Sequence, residues 1–290
     1  MNEFWQNVEE RQDNVGLVCV GLDPVWDRIP QCVMTLYGNR HDVMLNFLEQ
    51  IVDATADIAC AYKPNRAFFA KYGHDGLGVL QRIIKFIHDG YPGIPVILDA
   101  KEGDIGPTNE GYAEEAFDLL KADAITLNPY LGQEAYRPFL ARRNKGLIFL
   151  CRTSNPGSDE LQCLTVMHQR GEEGICYEPL YQVVARNIAE RWNEHGNCAL
   201  VAGATNPQDV GAIRQIIGND MYLLVPGFGK QGGSVEETVP LAINNRGTGA
   251  LANSSSAILY AGGGDDFAFK ARVETMRLCA EINHYRLPNS

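Results

Sequence analysis

The stretch IPVILDAKEGDIG (residues 94–106) passes from an apolar run to a segment carrying Asp99, Lys101, Glu102 and Asp104. Charge beside a core is costly unless it is paired or put to use. A continuously apolar, Ile/Val-rich run of this length is what a parallel strand covered on both faces requires. The stretch therefore reads as a buried strand that ends in a polar surface. Alternate-side strand geometry puts Asp99 and Lys101 on the same side of an extended segment. Two readings stay open for them: a structural ion pair at a strand end, or part of a pocket.

Seven further runs of the same kind flank it. They are LVCVG (17–21), ACAYK (59–63), AITLN (124–128), LIFLC (147–151), ALVAG (199–203), YLLVP (222–226) and GALAN (249–253), with PVILDA (95–100) as the third in order. Amphipathic helical patterns lie between them, such as residues 42–58 and 178–195. In the second, Leu180, Val183, Val184, Asn187 and Ile188 recur at helical spacing and predict its buried face. Eight strands with crossover helices predict a single (β/α)8 barrel domain over residues 1–290. A short N-terminal helix precedes it in MNEFWQNVEERQ. The longest insertion, residues 154–179, follows the fifth strand, and Gly171–Gly174 offers a turn between LQCLTV and ICY. This lid-like segment reads equally as a closing element or as surface decoration.

The chain has 290 residues and a formal net charge of −11, which excludes nucleic-acid binding by a broad basic surface. No run reaches the ~18 apolar residues of a membrane span, and no signal pattern is present. A cytoplasmic protein is expected. Eight cysteines contain no CxxC pair and read as reduced thiols, and six histidines show no metal-ligand spacing.

Chemistry in such barrels sits at the C-terminal ends of the strands. The residues there form a polar series: Asp23, Lys63, Asp99, Lys101, Asn128, Arg152, Ser154, Thr205, Gln231 and Ser254–Ser256. Each has a plain structural alternative. Asp23 precedes Pro24 in a common turn pair, Lys63 fits a snorkelling lysine, and GFGKQGG (227–233) fits a flexible loop as well as a phosphate cradle.

Taken together, VGLDP (20–24), YKPN (62–65), LDAKEGDIGPT (98–108), TLNPYLG (126–132), RTSNPGS (152–158), VPGFGKQGG (225–233) and NSS (253–255) resemble the orotidine 5′-phosphate decarboxylase family, in its bacterial branch of longer chains. Asp99-x-Lys101-x-x-Asp104-Ile105 matches its DxKxxDI signature. The resemblance implies a homodimer, without metal or cofactor, that converts orotidine 5′-monophosphate to uridine 5′-monophosphate and CO2. It implies that Lys101 protonates C6 and that Asp99 faces the substrate carboxylate. Asp23 and Lys63 would bind ribose hydroxyls and extend the charge network, with Lys63 counted among the catalytic groups. Asp104, counted among the catalytic groups, and Thr108, among the substrate-binding ones, would complete the partner's site. Ser154 would contact the pyrimidine, Gln231 would join base to phosphate, and Asn128 counts among the substrate-binding residues.

One position departs from the family pattern. Ser256 stands where an arginine usually clamps the phosphate, and a hydroxyl lacks the charge and fork of a guanidinium. Ser256 still counts as substrate-binding; either the backbone amides around Gly232, Gly233 and Ser255 hold the phosphate with less help, or Lys230 or Arg152 supplies the charge. Two alternatives remain. A metal-assisted sister enzyme acting on sugar phosphates is disfavoured by Lys63, where such relatives carry an acidic ligand. A silent nucleotide-binding homologue is disfavoured by the intact Asp23–Lys63–Asp99–Lys101 set.

Overall fold

The computed structural model describes residues 2–170, 174–228 and 232–286. Among the described residues ten strands are formed: β1 (Val18–Leu22), β2 (Ala61–Pro64), β3 (Ile97–Glu102), β4 (Ala124–Leu127), β5 (Gly146–Arg152), β6 (Thr165–Arg170), β7 (Gly174–Pro179), β8 (Cys198–Ala202), β9 (Tyr222–Pro226) and β10 (Ala250–Ser254). Eight of them pair in the order β2-β1-β10-β9-β8-β5-β4-β3, every pairing parallel. The two edges meet through parallel bridges Tyr62–Val96 and Asn65–Asp99, which close a (β/α)8 barrel. All eight expected runs fall on barrel strands. Each barrel strand is short and apolar because helices cover its outer face, where Phe47, Ile51, Ile84 and Phe139 are fully buried.

One end of the barrel is plugged. Helix α1 (Glu3–Val15) is N-capped by Asn2, whose side-chain oxygen accepts from Trp5 N at 3.1 Å. Asn2 Nδ2 donates to Arg143 O at 3.0 Å, just ahead of β5, so α1 lies at the N-terminal ends of the strands. From there Phe4, Trp5 and Val8 enter the barrel interior beside Ile97, Ile148 and Leu224. Trp5 stacks on Tyr222 with ring centroids 4.5 Å apart. Gly146 is required below Phe4, because a Cβ there would lie 2.5 Å from its ring. Burying side chains of this size contributes roughly 1.5–3 kcal/mol each.

Two expectations needed correction. The helix predicted over 178–195 begins at Leu180, runs α-helically to Asn187 and ends in a π-turn at Ile188–Trp192. Its buried face is Tyr181, Ala185, Ile188 and Trp192, one position round from the expected one, because the two aromatic rings have most area to bury. In the insertion, Asp159–Gln162 is a helical turn, and the hairpin is β6 against β7, antiparallel from Thr165–Pro179 to Arg170–Gly174. Residues 171–173, where its turn was expected, lie outside the described residues.

Candidate active site

At the other end of the barrel, past the C-terminal ends of the strands, lies a cavity of about 710 Å³. Its wall includes Asp23, Lys63, Asp99, Lys101, Ser154, Ser255 and Ser256. Asp99 is its electrostatic centre. Oδ2 accepts from Lys63 Nζ at 2.6 Å and from Asn65 Nδ2 at 3.2 Å. Oδ1 accepts from Lys101 Nζ at 2.5 Å and from Thr126 Oγ1 at 2.9 Å. All four contacts to the carboxylate are therefore hydrogen bonds from donors fixed on β2, β3 and β4 or directly after them.

Burial opposes the charged form of both partners, and in both it is outweighed. It opposes the charge of Lys63, yet the carboxylates of Asp99 and Asp23 outweigh it and raise the ammonium above the ordinary lysine value. It opposes ionisation of Asp99, yet Lys63 and Lys101 hold the carboxyl well below the usual range. The side chains of Lys63 and Asp99 are only 4% and 8% exposed, against 46% for Lys101. Lys101 is thus the member of the network open to a ligand.

Lys101 reaches this place through a break in the regular geometry of β3. Its φ is +54°, and between Leu98–Ile125 and Glu102–Leu127 the register against β4 shifts, with three residues of β3 facing one of β4. The simple alternation expected for Asp99 and Lys101 is replaced by a bulge. Thr126 Oγ1 accepts from the freed Lys101 N–H at 2.9 Å and donates its own hydrogen bond to Asp99 Oδ1 at 2.9 Å. A left-handed non-glycine residue costs roughly 1–3 kcal/mol and persists only where its surroundings impose it.

Asp23 joins the network from β1. Its carboxylate accepts from Ser255 Oγ at 2.5 Å and from Asn65 N at 3.2 Å. Gly21 lets β1 and β10 approach this closely, since a Cβ there would sit 2.6 Å from that of Ser255. Ser154 lies on the wall against Gly203, which is likewise too close for a side chain.

Other predicted residues are placed elsewhere. Asn128 is exposed and off the cavity wall, where its side chain caps the Pro129–Leu131 turn. Asp104 and Thr108 also lie off the wall. Asp104 is held in its loop by the buried Asn109, whose Oδ1 accepts from Asp104 N at 3.0 Å. Arg152 is committed, with Nε bound to Asp209 at 2.7 Å and its fork to Ser158 and Asp159 at 2.6 and 2.5 Å. It is a clamp for the start of the insertion and does not line the cavity. Gly233 donates its N–H to Gly227 O at 3.2 Å, so that amide is engaged within its own loop, and neither it nor Gly232 lines the wall. Lys230 and Gln231 lie outside the described residues.

Sequence reasoning passed over Asn65, Thr126, Arg28 and Gln162. Asn65 stands in the quoted YKPN, and Thr126 is the lone polar residue of its strand run. Gln162 brings the first part of the insertion to the cavity wall, whereas no hairpin residue of β6 or β7 lines it.

The model of the orotidine 5′-phosphate decarboxylase / HUMPS family matches residues 16–265. This chain belongs to that family. The orotidine 5′-phosphate decarboxylase of Azoarcus sp. is 49% identical over 275 residues, covering 95% of this chain and 96% of its own. That of Cupriavidus metallidurans is 47% identical over 275 residues, covering 95% of each. Among solved structures, Leishmania donovani OMP decarboxylase superposes with a TM-score of 0.81 at 34% identity, covering 99% of both chains. This chain spans 57% of the longer Leishmania donovani UMP synthase, at TM-score 0.83 and 35% identity over 99% of its own length. In this family member, the charged residues of the DxKxxDI signature surround one cavity, with the exception of Asp104.

Proposed function

We infer that the chain decarboxylates orotidine 5′-monophosphate to uridine 5′-monophosphate, the last step of de novo pyrimidine nucleotide synthesis, with Lys101 protonating C6. The observation that carries this reading is the Lys63–Asp99–Lys101 chain in the cavity wall of a member of this family. Loss of CO2 from C6 leaves an electron pair in the ring plane, where conjugation helps little. The site must therefore stabilise developing negative charge and then supply a proton. An ammonium held by a buried carboxylate does both, without solvent reorganisation.

Asp99 is fixed in its ionised form, so a substrate carboxylate beside it meets like charge that is relieved as CO2 leaves. At ~4 Å and an effective dielectric of ~20 the repulsion is ~4 kcal/mol, or roughly a thousandfold in rate. Asp23, whose carboxylate faces the cavity, offers acceptors to ribose hydroxyls, and Ser154 offers a donor and acceptor to the base. The decisive experiment follows the absorbance of orotidine 5′-monophosphate with the wild-type chain and with Lys101→Ala. Turnover by the first and not the second is expected. A folded wild-type chain without turnover overturns the reading, and activity lost in EDTA favours the metal-assisted sister chemistry.

We also propose a cytoplasmic homodimer in which Asp104 and Thr108 complete the partner's site. Among the described residues no helix is long and apolar enough to cross a membrane. Asn128 N donates to Glu102 O at 2.8 Å, so the loops after β3 and β4 run side by side. They expose Ile105, Tyr130 and Leu131 at 63%, 82% and 45%, an apolar set suited to a second copy. Mixing Lys101→Ala chains with Asp104→Ala chains is expected to restore part of the activity in heterodimers. No recovery in any mixture refutes the shared site.

A further inference from the structure

The substrate inferred above carries two kinds of negative charge, a carboxylate on the ring and a phosphate ester that is largely dianionic near neutral pH. Among the described residues the cavity wall holds three cations, Arg28, Lys63 and Lys101. Both lysines are already bound to Asp99. Arg28 has no acidic partner within ion-pair distance among the described residues.

Arg28 is nevertheless held in place. Its guanidinium carbon lies 3.7 Å from the centroid of the Tyr260 ring, a close cation–π contact. Tyr260 is itself fixed on three sides. Its hydroxyl accepts from Val25 N at 2.6 Å and donates to Asp23 O at 3.3 Å, and its ring stacks on Phe47 at 5.9 Å. A guanidinium resting on a ring keeps its N–H groups in the ring-parallel plane, free for an anion at its edge. Tyr260 stands four residues after Ser256, and both line the cavity. This wall follows β1 and β10, whereas Lys101 is on β3, three strands round the barrel from β10. The free cation is therefore on a different part of the wall from the ammonium at the reacting carbon, as a nucleotide spanning the cavity needs.

We propose that Arg28, held on Tyr260, is the residue that binds the substrate's phosphate, supplying the charge that Ser256 does not. The proposal rests on the decarboxylase reading. A forked guanidinium matches a phosphate with two parallel charge-assisted hydrogen bonds, whereas an ammonium offers a point charge. The residue does not touch the reacting atoms and acts on affinity and positioning.

The test compares wild type, Arg28→Gln, Arg28→Lys and Lys230→Gln, each first checked for an unchanged melting temperature. Turnover of orotidine 5′-monophosphate by the wild type is measured beforehand, so failure of the decarboxylase reading is seen separately. Calorimetric titration with uridine 5′-monophosphate and with uridine then isolates the phosphate. Arg28→Gln is expected to lower kcat/KM and nucleotide affinity by 30-fold or more while uridine affinity stays within twofold, with Arg28→Lys between it and wild type. The proposal is overturned if Arg28→Gln stays within threefold of wild type on the nucleotide. It is overturned equally if Arg28→Gln weakens nucleotide and nucleoside alike, or if Lys230→Gln alone carries the loss.

Discussion

The two ends of this barrel solve opposite problems with the same eight strands. At the N-terminal end, α1 drives Phe4, Trp5 and Val8 into the interior, where they pack on apolar residues such as Ile97, Ile148 and Leu224. At the C-terminal end, Asp99 is almost as buried as those rings, and it is held by four donors and two countercharges. The first end gains stability from burial that is insensitive to small shifts of position. The second keeps charge out of water, which works only while every partner stays in place. Stability and chemistry are thereby assigned to separate ends, and each can be disturbed alone.

The largest effect expected is at the charged end. Lys101→Ala should lower kcat by ~10⁴-fold or more, since in the proposed mechanism it removes both the proton donor and the fixed charge. Its half-exposed side chain contributes little to folding, so urea unfolding should be nearly unchanged. A variant that keeps a tenth of wild-type activity contradicts the assignment. Trp5→Ala is the mirror experiment. It should cost about 3–5 kcal/mol in unfolding free energy while kcat/KM at 25 °C stays within about twofold. A loss of activity larger than the loss of folded protein would show that the two ends are coupled.

A smaller effect sharpens the comparison within the charged end. Thr126→Val keeps shape but leaves the Lys101 N–H unpaired and removes one donor from Asp99. The N–H is only part-buried, so its loss falls at or below the low end of the about 1–3 kcal/mol for an orphaned buried donor, and a fall of up to about tenfold in kcat with KM little changed is expected. A change in KM alone would mean that Thr126 serves binding rather than the posture of Lys101.

The smallest effect is the pH response of stability. Asp99, depressed in the folded chain, contributes stability that is present above the ordinary aspartate value of about 3.9 and lost as pH falls towards its folded value. Lys63, raised in the folded chain, contributes stability that is present below about 10.4 and lost only as pH rises through its higher folded value. Between about pH 5 and 9 the pair should contribute uniformly. The stability gap between wild type and Asp99→Asn, read from urea midpoints, should narrow first below about pH 4. A gap that narrows between pH 6 and 8 would show that another group governs it.

The eight strands of the barrel were open to reading because they follow from pattern alone, whereas at the apolar end only a short N-terminal helix was legible and its role as a plug was not. Runs such as YLLVP and LIFLC suit parallel strands covered on both faces, in an open doubly wound sheet or a barrel, and eight of them with crossover helices favour the barrel. The charges on Asp23, Lys63, Asp99 and Lys101 were legible because nothing apolar competes for positions just past a strand. What the pattern concealed depends on backbone geometry or on distant partners. The bulge at Lys101 breaks strand alternation, and no residue type in AKEG announces it. Arg28 reads as an ordinary loop residue until the fold brings Tyr260, 232 positions later, beneath it. Arg152 reads as a site cation until Asp209 arrives from the far side of the insertion. The buried face of the 180–192 helix turned on the sizes of Tyr181 and Trp192, which an apolar-spacing count ranks no higher than valine.

The plug formed by α1 also has a practical consequence. Because Asn2 is anchored at the floor of the barrel, against the carbonyls of Arg143 and Lys145, a tether joined ahead of it leaves from the side remote from the cavity. Chains immobilised on a resin through that tether should present their open mouths outward, in one orientation. They would then form an ordered catalytic layer whose turnover per molecule matches that in free solution.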